Sequence, residues 1–261
     1  MPHSALADWA FASLLLSLRV APVLAFAPPF SLTRVPALFR ALLGLGLAGL
    51  MASWAPLAAA STPDGAGAAG LIDLGWLVAA AARELFVGLV FMMGLQLMFA
   101  ALYTAGRTVD IQAGFGLATL IDPTSQAQTP LIGSLFAYAA GAVFFAMDGH
   151  LDLMRIVAAS VDAVPIGTAV GPGSLARLGE FIGAVMAVSL GVAGGAILAL
   201  FLTDLAIAMM SRTVPQMNVL TLGLQVKTIL LMVVLPLSSG IWAALLARMA
   251  RVTLEGLPRL L

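Results

Sequence analysis

Long apolar segments, separated by prolines and glycines, dominate this chain of 261 residues. Residues of the set AVILMFWYC make up 62% of it and charged residues 9%, whereas soluble domains average about 45–50% and about 25%. The pattern therefore predicts an all-α, polytopic membrane protein built from helical hairpins. Six segments approach the roughly 20 residues that a spanning helix needs: 9–27, 37–59, 74–103, 131–147, 178–203 and 219–247.

The start of the chain and its cysteine content narrow the possibilities further. The opening MPHSALADW has no basic stretch before the first apolar segment, so that segment is predicted to be a retained helix rather than a signal peptide. The chain contains no cysteine, which excludes a disulfide framework and a thiolate metal site.

One interruption, at residues 106–130, is unusually long and reads GRTVDIQAGFGLATLIDPTSQAQTP. It is too apolar and too rich in glycine for an ordinary solvent-exposed loop, so we expect it at membrane depth. Irregular backbone is tolerated there only where it is buried in protein or lines an aqueous cavity, because lipid satisfies no N–H or C=O group. The segment is predicted to line or block a path. The alternative is a tight connection between helices in which the glycines serve packing.

Five charged residues lie within or just inside the apolar segments: Arg19, Arg83, Glu84, Glu180 and Lys227. A charge at such depth costs about 2.5–3.5 kcal/mol on insertion scales, so these groups should face a helix bundle, a water-filled cavity or each other. Snorkelling from helix ends is the alternative, and it suits Arg19 and Lys227 least. Because Arg83 and Glu84 point about 100° apart on a helix, they are not expected to face one partner. At least one of them is expected to meet a neighbouring subunit.

The fifth segment carries small residues at every fourth position, which predicts close approach of neighbouring helices. Four residues turn a helix by about 400°, so the stripe winds round the helix and neighbours should cross it obliquely. Chance in an Ala/Gly-rich chain is the alternative explanation. The positions are Gly179, Gly183, Ala187, Gly191, Gly195 and Ala199.

The distribution of arginines does not give the chain an orientation. Cytoplasmic loops of independently inserted spans normally carry an excess of Lys and Arg. Alternating the six segments places nearly equal numbers on the two sides. Either the count of segments is wrong, or these helices do not end up as simple spans. The two sets are Arg34, Arg40, Arg107 and Arg212 against Arg155, Arg177, Arg248, Arg251 and Arg259.

Residues that could carry catalysis are scarce, and the chain is predicted not to be an enzyme and to hold no cofactor. The two histidines are His3 and His150, and neither lies in the middle of an apolar segment, as a serine protease within the membrane would need. Asp148, His150 and Asp152 could ligate a metal, but their spacing is more typical of a solvated helix start. A GxxxxGK[ST] motif for nucleotide binding is also missing from the sequence.

Four motifs, in the same order, resemble the FliR family of flagellar export proteins and its injectisome relatives. The central one is ELFVGLVFMMGLQLMFAALYTAGRTVDIQAGFGLATLIDPTSQAQTPLIGSLF at residues 84–136. LRVAPVLAFAPPFSLTRVPALFRALLGLGLA precedes it, and MDGHLDLMRIVAASVDAVPIG and SRTVPQMNVLTLGLQVK follow. The resemblance covers nearly the whole chain. The more basic C-terminus and Lys227 depart from the family pattern.

The resemblance implies a place in a spiral hetero-oligomer. FliR-like chains pack with P-type (FliP-like) and Q-type (FliQ-like) subunits in the core of a type III export apparatus. Residues 1–175 would then be similar to a P-type subunit and residues 176–261 to a Q-type helical hairpin. Helices packed in such a spiral are buried against partners rather than lipid, which accounts for the missing charge bias.

In that family the central break is a plug that occludes the closed pore. The resemblance implies this role for Gly114, Phe115, Gly116, Leu117, Leu120, Ile121, Asp122 and Pro123. The glycines supply permissive backbone around the aromatic ring, and the aliphatic residues supply bulk that closes a constriction by dewetting. Asp122-Pro123 would end the loop.

The function that follows is a pore-forming subunit of the flagellar type III export gate. It would conduct unfolded flagellar proteins across the bacterial inner membrane, at the flagellar basal body. The Gln112–Gly114 pair and the Asp-Pro-Thr-Ser run favour flagellar over injectisome membership. A small-solute or ion transporter is a further alternative, although the chain lacks the internal repeat that many carriers show.

Overall fold

The computed structural model describes residues 2–32, 35–54, 74–115, 130–168, 174–214, 216 and 218–260. Within these ranges the chain forms eight α-helices and two short 3₁₀ turns, and no β-strand, which confirms the all-α prediction. The turns are Phe30–Leu32 and Leu257–Leu260. The helices are α1 (Pro2–Phe26), α2 (Ala37–Trp54), α3 (Leu74–Ala113), α4 (Leu131–Ala146), α5 (Gly149–Ala163), α6 (Ser174–Thr213), α7 (Val219–Leu237) and α8 (Ser239–Gly256).

Several helices are long and apolar enough to cross a membrane. Three qualify singly: α3, the Trp9–Phe26 part of α1 and the Arg177–Thr213 part of α6. Two pairs of helices, α4 with α5 and α7 with α8, are bent at short breaks and bring the number to five if each pair forms one span. The apolar part of α2, Leu38–Ser53, is shorter. The prediction of a polytopic membrane protein is confirmed, although six apolar segments correspond to three to five spans.

Three helix boundaries differ from the sequence prediction. Residues 106–113 of the predicted break are helical, because α3 continues to Ala113. Gly106 therefore does not end the helix; it is a packing position. In the fifth segment, α6 extends past residue 203 to Thr213 and includes Asp204. The sixth segment is two helices that meet at Ser238 with a bend of 65°.

The described chain divides into two compact units. The first consists of Met1–Leu97, Asp148–Ile182 and Thr253–Leu261, and the second of Met98–Met147 and Gly183–Val252. Helices α3 and α6 contribute residues to both. These units are discontinuous in sequence, so they do not follow the predicted boundary at residue 175. The predicted likeness of the two parts to P-type and Q-type subunits stays a prediction.

In the first unit, α1 and α2 form an antiparallel pair. The Trp9 indole N–H donates to the carbonyl of Gly49 (3.1 Å), near the start of α1 and the end of α2. At the opposite end, Arg40 donates to the carbonyl of Ala25 (2.5 Å). That bond satisfies a terminal carbonyl of α1 with a cation, which also complements the negative end of the helix dipole.

Helix α3 approaches α1 closely at Gly88. A Cβ atom there would lie 2.6 Å from the carbonyl oxygen of Arg19 and 2.7 Å from that of Leu18. Both neighbours are backbone atoms, so neither could move aside without shifting α1. The glycine therefore sets the separation of the two helices next to the most buried charge of this unit.

In the second unit, the last turns of α3 cross the start of α4 at a pair of glycines. A Cβ atom on Gly106 would lie 2.5 Å from the Cα atom of Gly133. On α4, the ring of Phe136 is buried and lies 6.1 Å, centroid to centroid, from the ring of Trp242 on α8. These contacts pack the start of α4 against the last turns of α3 and against α8.

A substitution at Gly88 tests the α1–α3 packing. Gly88→Ala should lower the unfolding temperature of the purified chain, because its methyl group would overlap two carbonyl oxygens. Gly46→Ala is the matched control: it lies in α2, and a Cβ there meets no described atom within 4 Å. This control should be neutral or slightly stabilising, by up to about 1 kcal/mol from helix propensity. Tryptophan fluorescence during heating in detergent measures both; equal unfolding temperatures would contradict the packing described.

Candidate functional site

The first unit contains a buried ion pair between Arg19 on α1 and Glu84 on α3. The side chains are 0% and 1% exposed. Arg19 Nε donates to one carboxylate oxygen of Glu84 (2.7 Å) and Nη2 donates to the other (3.1 Å). This two-bond geometry is the arrangement in which an arginine pairs with a carboxylate most strongly. Charges expected to lie at membrane depth thus face each other.

The remaining polar atoms of this pair bind α5 and the turn that follows it. Arg19 also donates to the Ser160 hydroxyl (3.2 Å) and to the carbonyl of Val164 (2.9 Å). Glu84 accepts a hydrogen bond from the backbone N–H of Gly167 (2.8 Å). A buried pair is stable only when its other donors and acceptors are satisfied. Here they fix a turn of the first unit against α1 and α3.

Arg83 joins the same turn, which corrects the expectation that Arg83 and Glu84 cannot face one partner. Arg83 is exposed, yet its Nη1 donates to the carbonyl of Gly167 (2.6 Å). The N–H of Gly167 binds Glu84, so the two long side chains reach opposite faces of one peptide unit. Gly167 has φ of +79°, a conformation that favours glycine. The Glu84 carboxylate finds its partners within the chain; the expectation that one of the two residues meets a neighbouring subunit stays a prediction.

The second unit contains a polar cluster at the end of α3, where segment 116–129 begins. Gly114 has φ of +88°, and its N–H donates to the carbonyl of Ile111 (3.1 Å). A left-handed glycine just after the last helical residue is a common way to end a helix. The Leu224 side chain of α7 lies against this glycine, and its Cδ2 occupies the space that a Cβ would take. A larger residue at position 114 would be strained by the positive φ and would require Leu224 to move.

Asp110, one turn before the end of α3, caps the start of α4. Its carboxylate accepts hydrogen bonds from the backbone N–H of Ile132 (3.0 and 3.1 Å) and of Gly133 (3.3 Å). The first N–H groups of a helix have no partner inside that helix, and Pro130 at the cap position provides no side-chain acceptor. Asp110 is 4% exposed and carries the negative charge that a helix N-terminus favours. The carboxylate therefore ties the two ends of segment 116–129 together.

Lys227 on α7 holds the other side of the α3 terminus. Its ammonium group donates to the carbonyl of Gln112 (3.1 Å) and lies 2.5 Å from the Asp204 carboxylate on α6. Lys227 is 17% exposed and Asp204 is 44% exposed. We name the set Asp110, Gln112, Gly114, Ile132, Gly133, Leu224, Lys227 and Asp204 the loop anchor. It is the candidate functional site, because it positions both ends of the predicted plug.

Most of the predicted plug lies outside the described residues. Gly114 and Phe115 are described, and Phe115, the second residue after the end of α3, is half-buried. Their predicted role remains a prediction. The plug positions outside the described ranges are Gly116, Leu117, Leu120, Ile121, Asp122 and Pro123.

The small-residue stripe of α6 faces outward rather than into the chain. All its members are exposed except Ala199, which is half-buried. A Cβ on Gly179, Gly183 or Gly195 would meet no described atom within 4 Å, and one on Gly191 would touch only Leu245, at 3.8 Å. The stripe thus leaves a face to which a helix of another subunit could pack closely.

The other singled-out polar residues lie outside both clusters. Glu180 is exposed near the start of α6. Asp148 precedes α5 in a left-handed conformation, and Asp152 in its first turn pairs with Arg155 at 2.8 Å. Among the described residues, no three His, Cys, Asp or Glu side chains come together as metal ligands would.

Sequence reasoning missed Asp110, Gln112, Asp204 and Leu224. A signal for the first existed: Pro130 occupies the cap position of α4 and offers no side-chain acceptor to the first turn. Such a helix needs an acceptor from elsewhere in the chain. Asp204 was assigned to a connection because the apolar run weakens there, although no proline stops the helix before Thr213.

Comparison with known proteins identifies the family. The model of the bacterial export proteins, family 1, matches residues 10–252. The chain belongs to that family. Its members are components of type III secretion export apparatus, and the resemblance to FliR is thereby confirmed.

Individual relatives come from both flagellar and injectisome systems. The flagellar biosynthetic protein FliR of Bacillus subtilis is 29% identical over 184 residues, covering 69% of this chain and 71% of the relative. FliR of Escherichia coli K12 is 29% identical over 154 residues, which are 57% of this chain and 56% of that protein. The Yop proteins translocation protein T of Yersinia pestis is 26% identical over 160 residues, or 60% of this chain and 61% of that protein. The matched parts thus span from just over half to under three quarters of these relatives.

Removing the negative charge at position 84 tests the buried pair. Glu84→Gln should destabilise the chain by about 3–5 kcal/mol, because it leaves the Arg19 charge buried without a counter-ion. Asp152→Asn is the control, since its pair with Arg155 is solvent-exposed (47% and 76%) and such pairs contribute about 0–1 kcal/mol. Thermal unfolding in detergent should separate the two variants clearly. A Glu84→Gln variant as stable as the control would refute the importance of the pair.

Proposed function

We propose that this chain is a pore-forming subunit of the flagellar type III export gate and that the segment following Gly114 plugs the closed pore. One observation carries the proposal: both ends of segment 116–129 are fixed by directed contacts within one compact unit. The helix ends on either side of this segment are therefore held in place, as the root of a plug would need to be.

The chemistry of the segment suits a gate for unfolded polypeptide. Such a gate must exclude ions and small solutes, yet yield when a chain arrives. Apolar side chains such as Phe115, Leu117 and Leu120 would exclude water from a narrow opening.

The proposed partners are P-type and Q-type export subunits in the bacterial inner membrane. Support comes from the outer face of α6 and α7, where large apolar side chains lie exposed. In a membrane-embedded spiral these side chains would pack against neighbouring subunits, and the adjacent small-residue stripe would permit oblique close crossings. They include Leu198, Phe201, Leu205, Met209, Ile229, Val233 and Leu237.

The flagellar assignment is supported by the matches to FliR of Bacillus subtilis and Escherichia coli, each 29% identical to this chain, and by the Gln112–Gly114 pair and the Asp-Pro-Thr-Ser run. A small-solute transporter is disfavoured by the first polar cluster. Arg19 and Glu84 satisfy each other and a backbone turn, so they leave no free charge to bind a solute or ion.

Removing the aromatic ring of Phe115, at the start of the predicted plug, tests whether the plug closes the pore. In cells that assemble the complex, Phe115→Ala should raise the entry of small ions or dyes several-fold while the amount of complex is unchanged, because the ring would no longer exclude water. Phe86→Ala is the control: this phenylalanine is exposed on α3 in the other unit. A Phe115→Ala complex that stays as tight as the control would overturn the plug assignment.

A bulky residue on the α6 stripe tests the partner surface. Gly195→Leu should leave the unfolding temperature of the isolated chain nearly unchanged, since no described atom lies within 4 Å of its Cβ. It should nevertheless greatly reduce the yield of complex recovered with the P-type and Q-type subunits. Gly240→Leu, on α8 and equally open within the described chain, is the control. Normal yield of the Gly195→Leu complex would show that the stripe is not an assembly surface.

A further inference from the structure

We propose that Lys227 is a positioning residue of the gate: braced by Asp204, it fixes the end of α3 from which the plug begins. The inference rests on the proposed function, because it assumes that segment 116–129 seals the pore. All three helices involved, α3, α6 and α7, meet within the second unit at this point.

The bond from Lys227 to Gln112 satisfies a carbonyl that the helix itself leaves open. The last four carbonyl groups of a helix lack intrahelical partners, and Gln112 is the next to last residue of α3. A cation at this end also complements the negative pole of the helix dipole. Without Lys227, this carbonyl would depend on water, and the last turn of α3 would fray more readily.

Asp204 gives Lys227 a fixed position. A lysine side chain has many rotamers, so an ammonium group without a counter-ion would spend little time on one carbonyl. The carboxylate lies 2.5 Å from the ammonium nitrogen and is itself 44% exposed. Because Asp204 is partly in solvent, water can replace its partner at little cost in free energy. Lys227 is only 17% exposed, so its ammonium group depends more on Asp204.

The position of Leu224 directs a second contact of α7 to the end of α3, where the predicted plug begins. Leu224 lies one helical turn before Lys227 on α7 and packs against Gly114, while Lys227 binds the carbonyl of Gln112. One face of α7 thus contacts the end of α3 at two residues, Gln112 and Gly114, immediately before Phe115. Since a dewetted seal depends on where the apolar bulk sits, loosening either point should displace the seal.

Three single variants and one double variant in the assembled complex test the positioning role of Lys227. Lys227→Met keeps the length of the side chain but removes its charge, and it should raise ion or dye entry several-fold without loss of complex. Lys227→Arg keeps a donor for both partners and should remain close to wild type. Asp204→Asn should leak to an intermediate degree. In the double variant Asp204→Asn/Lys227→Met, the leak should equal that of Lys227→Met, because Asp204 is proposed to act through the lysine.

A distance measurement separates positioning from a general loss of stability. Because the chain has no cysteine, spin labels can be attached to cysteines introduced at the exposed positions Ile111 and Thr221. The distance between the labels in the intact complex should be narrowly distributed with Lys227 or Arg at position 227 and broad with Met. An unchanged distribution in the Lys227→Met complex would overturn the positioning role.

Phe115→Ala distinguishes the failure of this inference from the failure of the proposed function. If Phe115→Ala leaks but Lys227→Met stays tight, Lys227 does not position the plug, and the plug itself stands. If neither variant leaks, the plug assignment fails and the inference fails with it. If both variants leak and the distribution of the label distance broadens only in Lys227→Met, the positioning role of Lys227 is established.

Discussion

Polar groups in a strongly apolar chain must find their partners inside the protein, and this constraint explains the arrangement of the described helices. Lipid offers no hydrogen bonds, so each buried charge and each free helix end needs a neighbour. Arg19 and Glu84 meet this need together and draw the turn at Val164–Thr168 against α1 and α3. Asp110 meets it for the start of α4, where Pro130 cannot. In both units the polar contacts are few and directed, and the apolar helices pack around them.

The same constraint fixes the helix ends on either side of the predicted plug. The end of α3 and the start of α4 are held by charge-assisted bonds and by glycines in close contact. Charge-assisted bonds of this kind are roughly twice as strong as neutral ones. The proposed gate therefore predicts that the frame formed by these contacts keeps its shape during export.

The sequence predicted the helices better than the contacts between them. Hydropathy and prolines located the apolar segments, because burial and helix breaking are local properties. Gly106 was mistaken for the start of the break, since nothing in the sequence shows that it meets Gly133. The convergence of Arg83 and Glu84 on Gly167 was missed for a similar reason: helical angles describe Cβ directions and not the reach of long side chains. Asp110 and Asp204 were missed because their partners are supplied by distant helices.

The most direct test of this account follows the frame and the plug separately during export. Spin labels at the exposed positions Arg107 and Leu135 report on the frame, and a label at Leu120 paired with Arg107 reports on the plug. Both distances would be measured in the idle complex and in a complex arrested with a polypeptide in its pore. The account predicts an unchanged distance between 107 and 135 and a large change between 107 and 120. A change between 107 and 135 as large as that of the plug would contradict it, because the anchor itself would then open.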